Sequence, residues 1–169
     1  MKLKGIYIDD DPANIDMYST MLEDSEIEFI RVDLFDTPSE YYDFICQNEV
    51  DFVIIDRHLD KDGAKYDGFN VLEDIRKQDP YIHILLLTND TIAHSSIYSD
   101  FDQTVKKGDL FEERENIISR IKRSHLLKRS IENTEHVKAA LKAQKENTDI
   151  EIKKLEEIHA TIKSLLPRE

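Results

Sequence analysis

A chain of 169 residues, 40% hydrophobic and 35% charged, suits one packed domain with an extension rather than two full domains. A formal net charge of −13 argues against direct binding to nucleic acid or to an anionic membrane, because both reward a basic face. Cys46 is the single cysteine, so no internal disulfide forms, and no run approaches the ~20 apolar residues of a membrane span; a cytoplasmic location is expected.

In chain order, short apolar runs alternate with amphipathic segments. Residues 3–8 read as a first strand that runs into Asp9-Asp10-Asp11, and Asp11-Pro12 sets a capping residue before proline at a first helical position. Residues 27–34 read as a second strand, followed by a similar Thr37-Pro38 pair. Residues 52–55 are unbroken Phe-Val-Ile-Ile, as expected of an inner parallel strand buried on both faces, and they end at Asp56. Gly68 then opens a helix in which Val71, Leu72 and Ile75 share one face, with Pro80 beyond its end. Residues 82–87 form a second unbroken apolar run ending at Thr88, and 101–105 form a weaker one ending at Lys106-Lys107-Gly108. This alternation predicts an α/β fold, a doubly wound parallel sheet of about five strands.

From about Leu110 the pattern changes. Glycine and proline vanish until Pro167, and Leu127, Ile131, Thr134, Val137, Leu141, Gln144, Thr148, Ile152, Leu155, Ile158, Ile162 and Leu165 recur at a mean step near the coiled-coil period. The expectation is a long α-helical extension over 123–169, paired as a coiled coil or folded as a hairpin with a break near 146–149. The acidity lies elsewhere: residues 1–124 carry 14 Lys/Arg against 28 Asp/Glu, and 125–169 carry 9 against 8.

Ligands of open α/β sheets bind beyond the carboxyl ends of the strands. There the sequence sets Asp9-Asp10-Asp11, Asp56, Thr88 and Lys106-Lys107-Gly108. Carboxylates converging on one crevice repel one another and call for a cation; all-oxygen ligation suits Mg²⁺. A hydroxyl and an ammonium opposite would complete a pocket for a phosphoryl group.

Over residues 3–122 the chain resembles the receiver domain of bacterial response regulators. The resemblance rests on Ile-Asp-Asp-Asp-Pro at 8–12, Val-Ile-Ile-Asp at 53–56, Tyr-Asp-Gly-Phe-Asn-Val-Leu at 66–72, Leu-Leu-Thr at 86–88 and Lys-Lys-Gly at 106–108. It implies strand order 2-1-3-4-5 and a receiver over 1–122. It also implies a phosphoryl group taken on Asp56 from a histidine kinase or phosphotransfer protein. Mg²⁺ would be held by Asp9, Asp10, Asp56 and the backbone carbonyl of His58. Thr88 and Lys107 would contact the phosphoryl group, with Lys106 the fallback for the lysine. Such a protein is a phosphoacceptor switch rather than an enzyme, and a homodimer or helical partner would form through the C-terminal helices.

The chain departs from the family pattern in three places. The loop at 57–66 is long, the helix expected over 93–98 reads as reduced or irregular, and Thr104 stands where a switch aromatic is usual. Two other functions are compatible with parts of the pattern. One is a pseudo-receiver that binds partners without phosphorylation. The other is a haloacid-dehalogenase-like phosphatase, with Asp9 as nucleophile and Asp11 as acid/base. Cys46 reads as a core or half-buried residue of the second helix, and the six histidines lack metal-ligand spacing.

Overall fold

The structure, a computed structural model, describes residues 2–59, 64–89 and 100–165, without the side chains of 149, 156 and 159–165. Strands β1 (Leu3–Ile8), β2 (Ile27–Phe29), β3 (Phe52–Ile55), β4 (His83–Thr88) and β5 (Gln103–Lys106) form one parallel sheet in the order β2-β1-β3-β4-β5. Helices α1 (Pro12–Leu22), α2 (Glu40–Asn48) and α3 (Gly68–Gln78) connect the strands, and α4 (Leu110–Leu165) follows β5. The expected α/β architecture and strand order are therefore present.

Alternation along the strands sorts the core into two layers. Ile6, Ile8, Val53, Ile55, Ile84 and Leu86 pack with Tyr41, Ile45, Val71, Leu72 and Ile75 on one face. Tyr7, Ile54, Leu85, Leu87 and Val105 pack with Ile15, Leu22, Ile117, Ile118 and Ile121 on the other. Both faces of β3 and β4 are covered, which is why these runs read as continuously apolar.

The helix starts depend on their caps. The Asp11 side chain accepts from Ala13 N ahead of Pro12, as expected. At α3 the cap is Asp67, which forms a capping box with Asn70. The expectation at Thr37-Pro38 needs correction: α2 begins at Glu40, whose Oε1 accepts from Thr37 N and Oγ1, so Thr37 and Pro38 lie in a turn before the helix. The second strand is also shorter than 27–34. It is an edge strand with β1 as its one neighbour, and pairing stops once Ile30 N reaches Gly5 O. Val32 still buries itself, so the apolar alternation persists where the ladder does not.

The expectation over 93–98 lies outside the described residues. The sheet and helices through Lys128 form one compact unit, and Arg129–Glu169 form a second. α4 is helical through 146–149, so the hairpin alternative has no turn in this structure. Among the described residues no helix is long and apolar enough to cross a membrane.

Candidate functional site

Strand parity aims the site. On β1 the side chain of Tyr7 points toward α1 and α4, and Asp9, two residues on, follows it. On β3, Ile54 takes the same face and Asp56 follows. On β5, Val105 takes it and Lys107 follows. Asp9, Asp10, Asp56, Thr88 and Lys107 are all buried at the carboxyl edge of the sheet. Carboxylate oxygens of Asp9, Asp10 and Asp56 lie within 4.8 Å of one another.

Lys107 Nζ sits 2.8 Å from Asp9 Oδ2 and 3.3 Å from Asp56 Oδ2. Lys106 is exposed, so of the two lysines it is Lys107 that reaches the carboxylates. Lys107 opens a short 3₁₀ turn, Lys107–Asp109, that leads directly into α4. Thr88 is the last residue of β4 and fully buried, whereas the His58 side chain is exposed two residues beyond Asp56.

The electrostatics follow from burial and these partners. Burial pushes the Asp56 carboxyl above its ordinary range, aided by the charge of Asp9 and opposed by Lys107. Burial acts in the same direction on Asp9, but donors from Lys107, Tyr7, Asp11 N and Asn14 outweigh it and hold the carboxyl below the usual range. Desolvation works against the Lys107 ammonium, and the two aspartates raise it above the ordinary value. The triad is thus one cation between two anions, with a third carboxylate beside them.

Three contributors are not visible as chemistry in the sequence. Tyr7 reads as a strand residue, yet its hydroxyl donates to Asp9 Oδ2 at 2.5 Å. Asn14 Nδ2 donates to the same carboxylate from α1. Gly68 lies against the Asp56 backbone, where a Cβ would come 2.1 Å from Asp56 O. The Asp-Gly pair at 67–68 was the one signal for the last of these. Asp11, the third acid of the run, spends its carboxylate on capping α1.

The family profile described as response regulator receiver domain matches residues 6–122. The chain belongs to the response regulator receiver family. This receiver is similar in fold to NtrX from Brucella abortus solved in complex with ATP, at TM-score 0.64 and 20% identity over 79% of this chain and 30% of that one. It is also similar to the receiver domain of the Francisella response regulator 1452, at TM-score 0.55 and 22% identity over 75% and 99% of the two chains. The signal receiver domain of an HD domain-containing protein from Pseudomonas fluorescens Pf-5 matches at TM-score 0.61 and 16% identity, over 76% and 93%. The receiver thus spans under a third of the length of NtrX. A comparison with the curated proteins finds no match. Family membership and the capping role of Asp11 both count against the phosphatase alternative, which needed Asp11 as an acid/base.

Proposed function

We propose that this receiver is the phosphoacceptor switch of a two-component phosphorelay: Asp56 takes a phosphoryl group from a histidine kinase or phosphotransfer protein. The observation that carries this reading is the Lys107 ammonium seated between Asp9 and Asp56 beside three clustered carboxylates. A buried lysine so placed is poised to pair with new negative charge on Asp56.

In the transfer, a carboxylate oxygen of Asp56 attacks phosphorus and the P–N bond to the donor imidazole breaks. The imidazole leaves with the bonding pair and takes a proton from water. Desolvation makes the Asp56 carboxylate a stronger nucleophile than one in water. Lys107 and the Thr88 hydroxyl stabilise the transferred oxygens, and positioning supplies most of the rest. The all-oxygen set of Asp9, Asp10, Asp56 and the His58 carbonyl fits Mg²⁺, which when bound would neutralise charge on the phosphoryl oxygens. The new charge on Asp56 draws Lys107 from Asp9. Because Lys107 begins the turn into α4, that shift reaches the helix without an aromatic at Thr104.

The output is read by the C-terminal helix pairing with a second copy of the chain. Val137, Leu141, Ile152, Leu155 and Ile158 are exposed on α4, and a lone helix in water does not hide such side chains. Two of the polar seam positions are suited to burial, because Thr134 Oγ1 donates to Ser130 O and Thr148 Oγ1 to Gln144 O within their own helix.

Incubation with acetyl phosphate and Mg²⁺, followed by intact mass measurement, tests the reading. One phosphoryl group on the wild type and none on Asp56→Asn is expected. A gain that persists in Asp56→Asn overturns the choice of residue, and no gain in the wild type leaves the pseudo-receiver reading in its place.

A further inference from the structure

Phe35 lies beyond the end of β2, where the ladder with β1 has stopped. Both of its backbone polar groups are nevertheless occupied by tyrosine hydroxyls. Phe35 N donates to the Tyr41 hydroxyl at 3.4 Å, and the Tyr66 hydroxyl donates to Phe35 O at 2.6 Å. The two hydroxyl oxygens stand 3.1 Å apart. Each hydroxyl carries one proton. That of Tyr66 goes to Phe35 O, so Tyr41 donates to Tyr66, and the three residues close a ring of hydrogen bonds with one direction. Aromatic packing fixes the hydroxyls: the Tyr41 ring meets Phe35 edge-on at 4.9 Å between centroids and Tyr66 at 6.3 Å. Burial raises both hydroxyls above their ordinary range, so they stay protonated at any working pH.

The ring joins two segments that share a cleft. A cleft of about 530 Å³ opens beside Asp9 and Asp10, and Phe35 and Asp36 line it together with Ala64 and Lys65. Residues 64–66 come from the long segment between Asp56 and α3, whereas Phe35 and Tyr41 belong to the chain between β2 and the first turn of α2. Both bonds of the ring that cross between these segments end on the Tyr66 hydroxyl.

We propose that Tyr66 is a positioning residue whose hydroxyl ties the two segments lining the cleft and so limits the water that reaches a phosphoryl group on Asp56. The inference rests on the phosphoacceptor reading of Asp56. In the loss of that group a water oxygen attacks phosphorus and the P–O bond to the carboxylate breaks. The carboxylate of Asp56 keeps the bonding pair, and the water gives up a proton to solvent. A tied cleft admits the attacking water less often, so the aspartyl phosphate lives longer.

The test follows first-order phosphoryl loss by intact mass after acetyl phosphate is removed, on the full-length wild type, Tyr66→Phe and Tyr41→Phe. Tyr66→Phe keeps the ring but removes both crossing bonds, and its loss should be faster by about two- to tenfold, the weight of a neutral hydrogen bond on an opening equilibrium. Tyr41→Phe leaves the shorter crossing bond in place and should stay closer to the wild type, although thermal melts should show both variants destabilised. An unchanged lifetime in Tyr66→Phe overturns the inference. So does an equal acceleration in both variants, which would make the tyrosines packing alone. Amide exchange on the wild type covers the case of a poorly folded variant: Phe35 N–H should be protected, and exchange at the rate of an open loop overturns the tie. Failure of the underlying reading looks different, because the wild type would then take no phosphoryl group, and the inference would fall with it.

Discussion

Gly68 Cα stands so close to the Asp56 carbonyl that a Cβ would come within 2.1 Å of the oxygen, while Gly68 N donates to Arg57 O at 2.9 Å. The start of α3 is thereby clamped onto the segment that carries the acceptor carboxylate. The contact is backbone against backbone, so neither partner can rotate away.

Gly68→Ala should accordingly displace Asp56 rather than fill space. The expected destabilisation is about 1–3 kcal/mol, the range for overpacking a close-fitted site. Urea unfolding reads the stability, and phosphorylation by acetyl phosphate should slow further than the stability loss accounts for. A variant that phosphorylates at the wild-type rate would show that the clamp has no bearing on Asp56.

Three carboxylates against one ammonium leave surplus negative charge at the sheet edge. Asp10→Ala should therefore raise the thermal midpoint without Mg²⁺ by removing a repelling acid. It should also abolish the upward shift that millimolar Mg²⁺ gives the wild type through mass action. Thermal melts with EDTA and with Mg²⁺ check both signs at once.

His83 sets a pH dependence at the opposite edge of the sheet. Its ring is buried, with Nδ1 3.0 Å from Ser124 Oγ on α4 and Nε2 without a hydrogen-bond partner among the described residues. Burial pushes the imidazole down to about 4, against the partial opposition of Asp102. The unfolded chain, titrating near 6.5, then binds more protons than the folded one over this window. Stability is full above pH ~6.5 and falls as the pH drops toward 4; the loss from this group between pH 7.5 and 5 is about 2 kcal/mol. Urea titrations of the wild type and His83→Gln across that range should show a shallower slope in the variant.

The C-terminal helix should set the oligomeric state. His125 and Lys128 are tied to Asp51 and Asp79 at 3.0 and 2.6 Å, so the sheet-bearing unit needs the chain through Lys128. Light scattering at tens of micromolar should give a dimer for the full chain and a monomer for a truncation after Lys128. Replacing Leu141 and Leu155 by Asp should also yield a monomer. A full chain that remains monomeric with and without phosphorylation would instead point to a helical partner protein.

What the sequence determined by itself is local or periodic. β1 and β3 have the ends expected of them, because their last apolar residues, Ile8 and Ile55, are followed directly by the acids Asp9 and Asp56. Alternating elements forced a parallel sheet, and the strand-end acids marked its working edge. The end of β2 was not legible, since Ile30, Val32 and Leu34 keep the alternation while hydrogen bonding depends on how far β1 runs beside them. The part of Tyr7 was hidden because a strand tyrosine looks the same whether its hydroxyl meets solvent, backbone or a carboxylate. Lys107 prevailed over Lys106 because the parity of β5 turns alternate residues to opposite faces, and that phase is set by pairing with β4. His83 and Ser124, forty-one residues apart, meet only because α4 packs across the sheet. Residue type and spacing therefore announced which groups the site would have; which oxygen each one touches was decided by long-range packing, to which a one-dimensional pattern carries no distance.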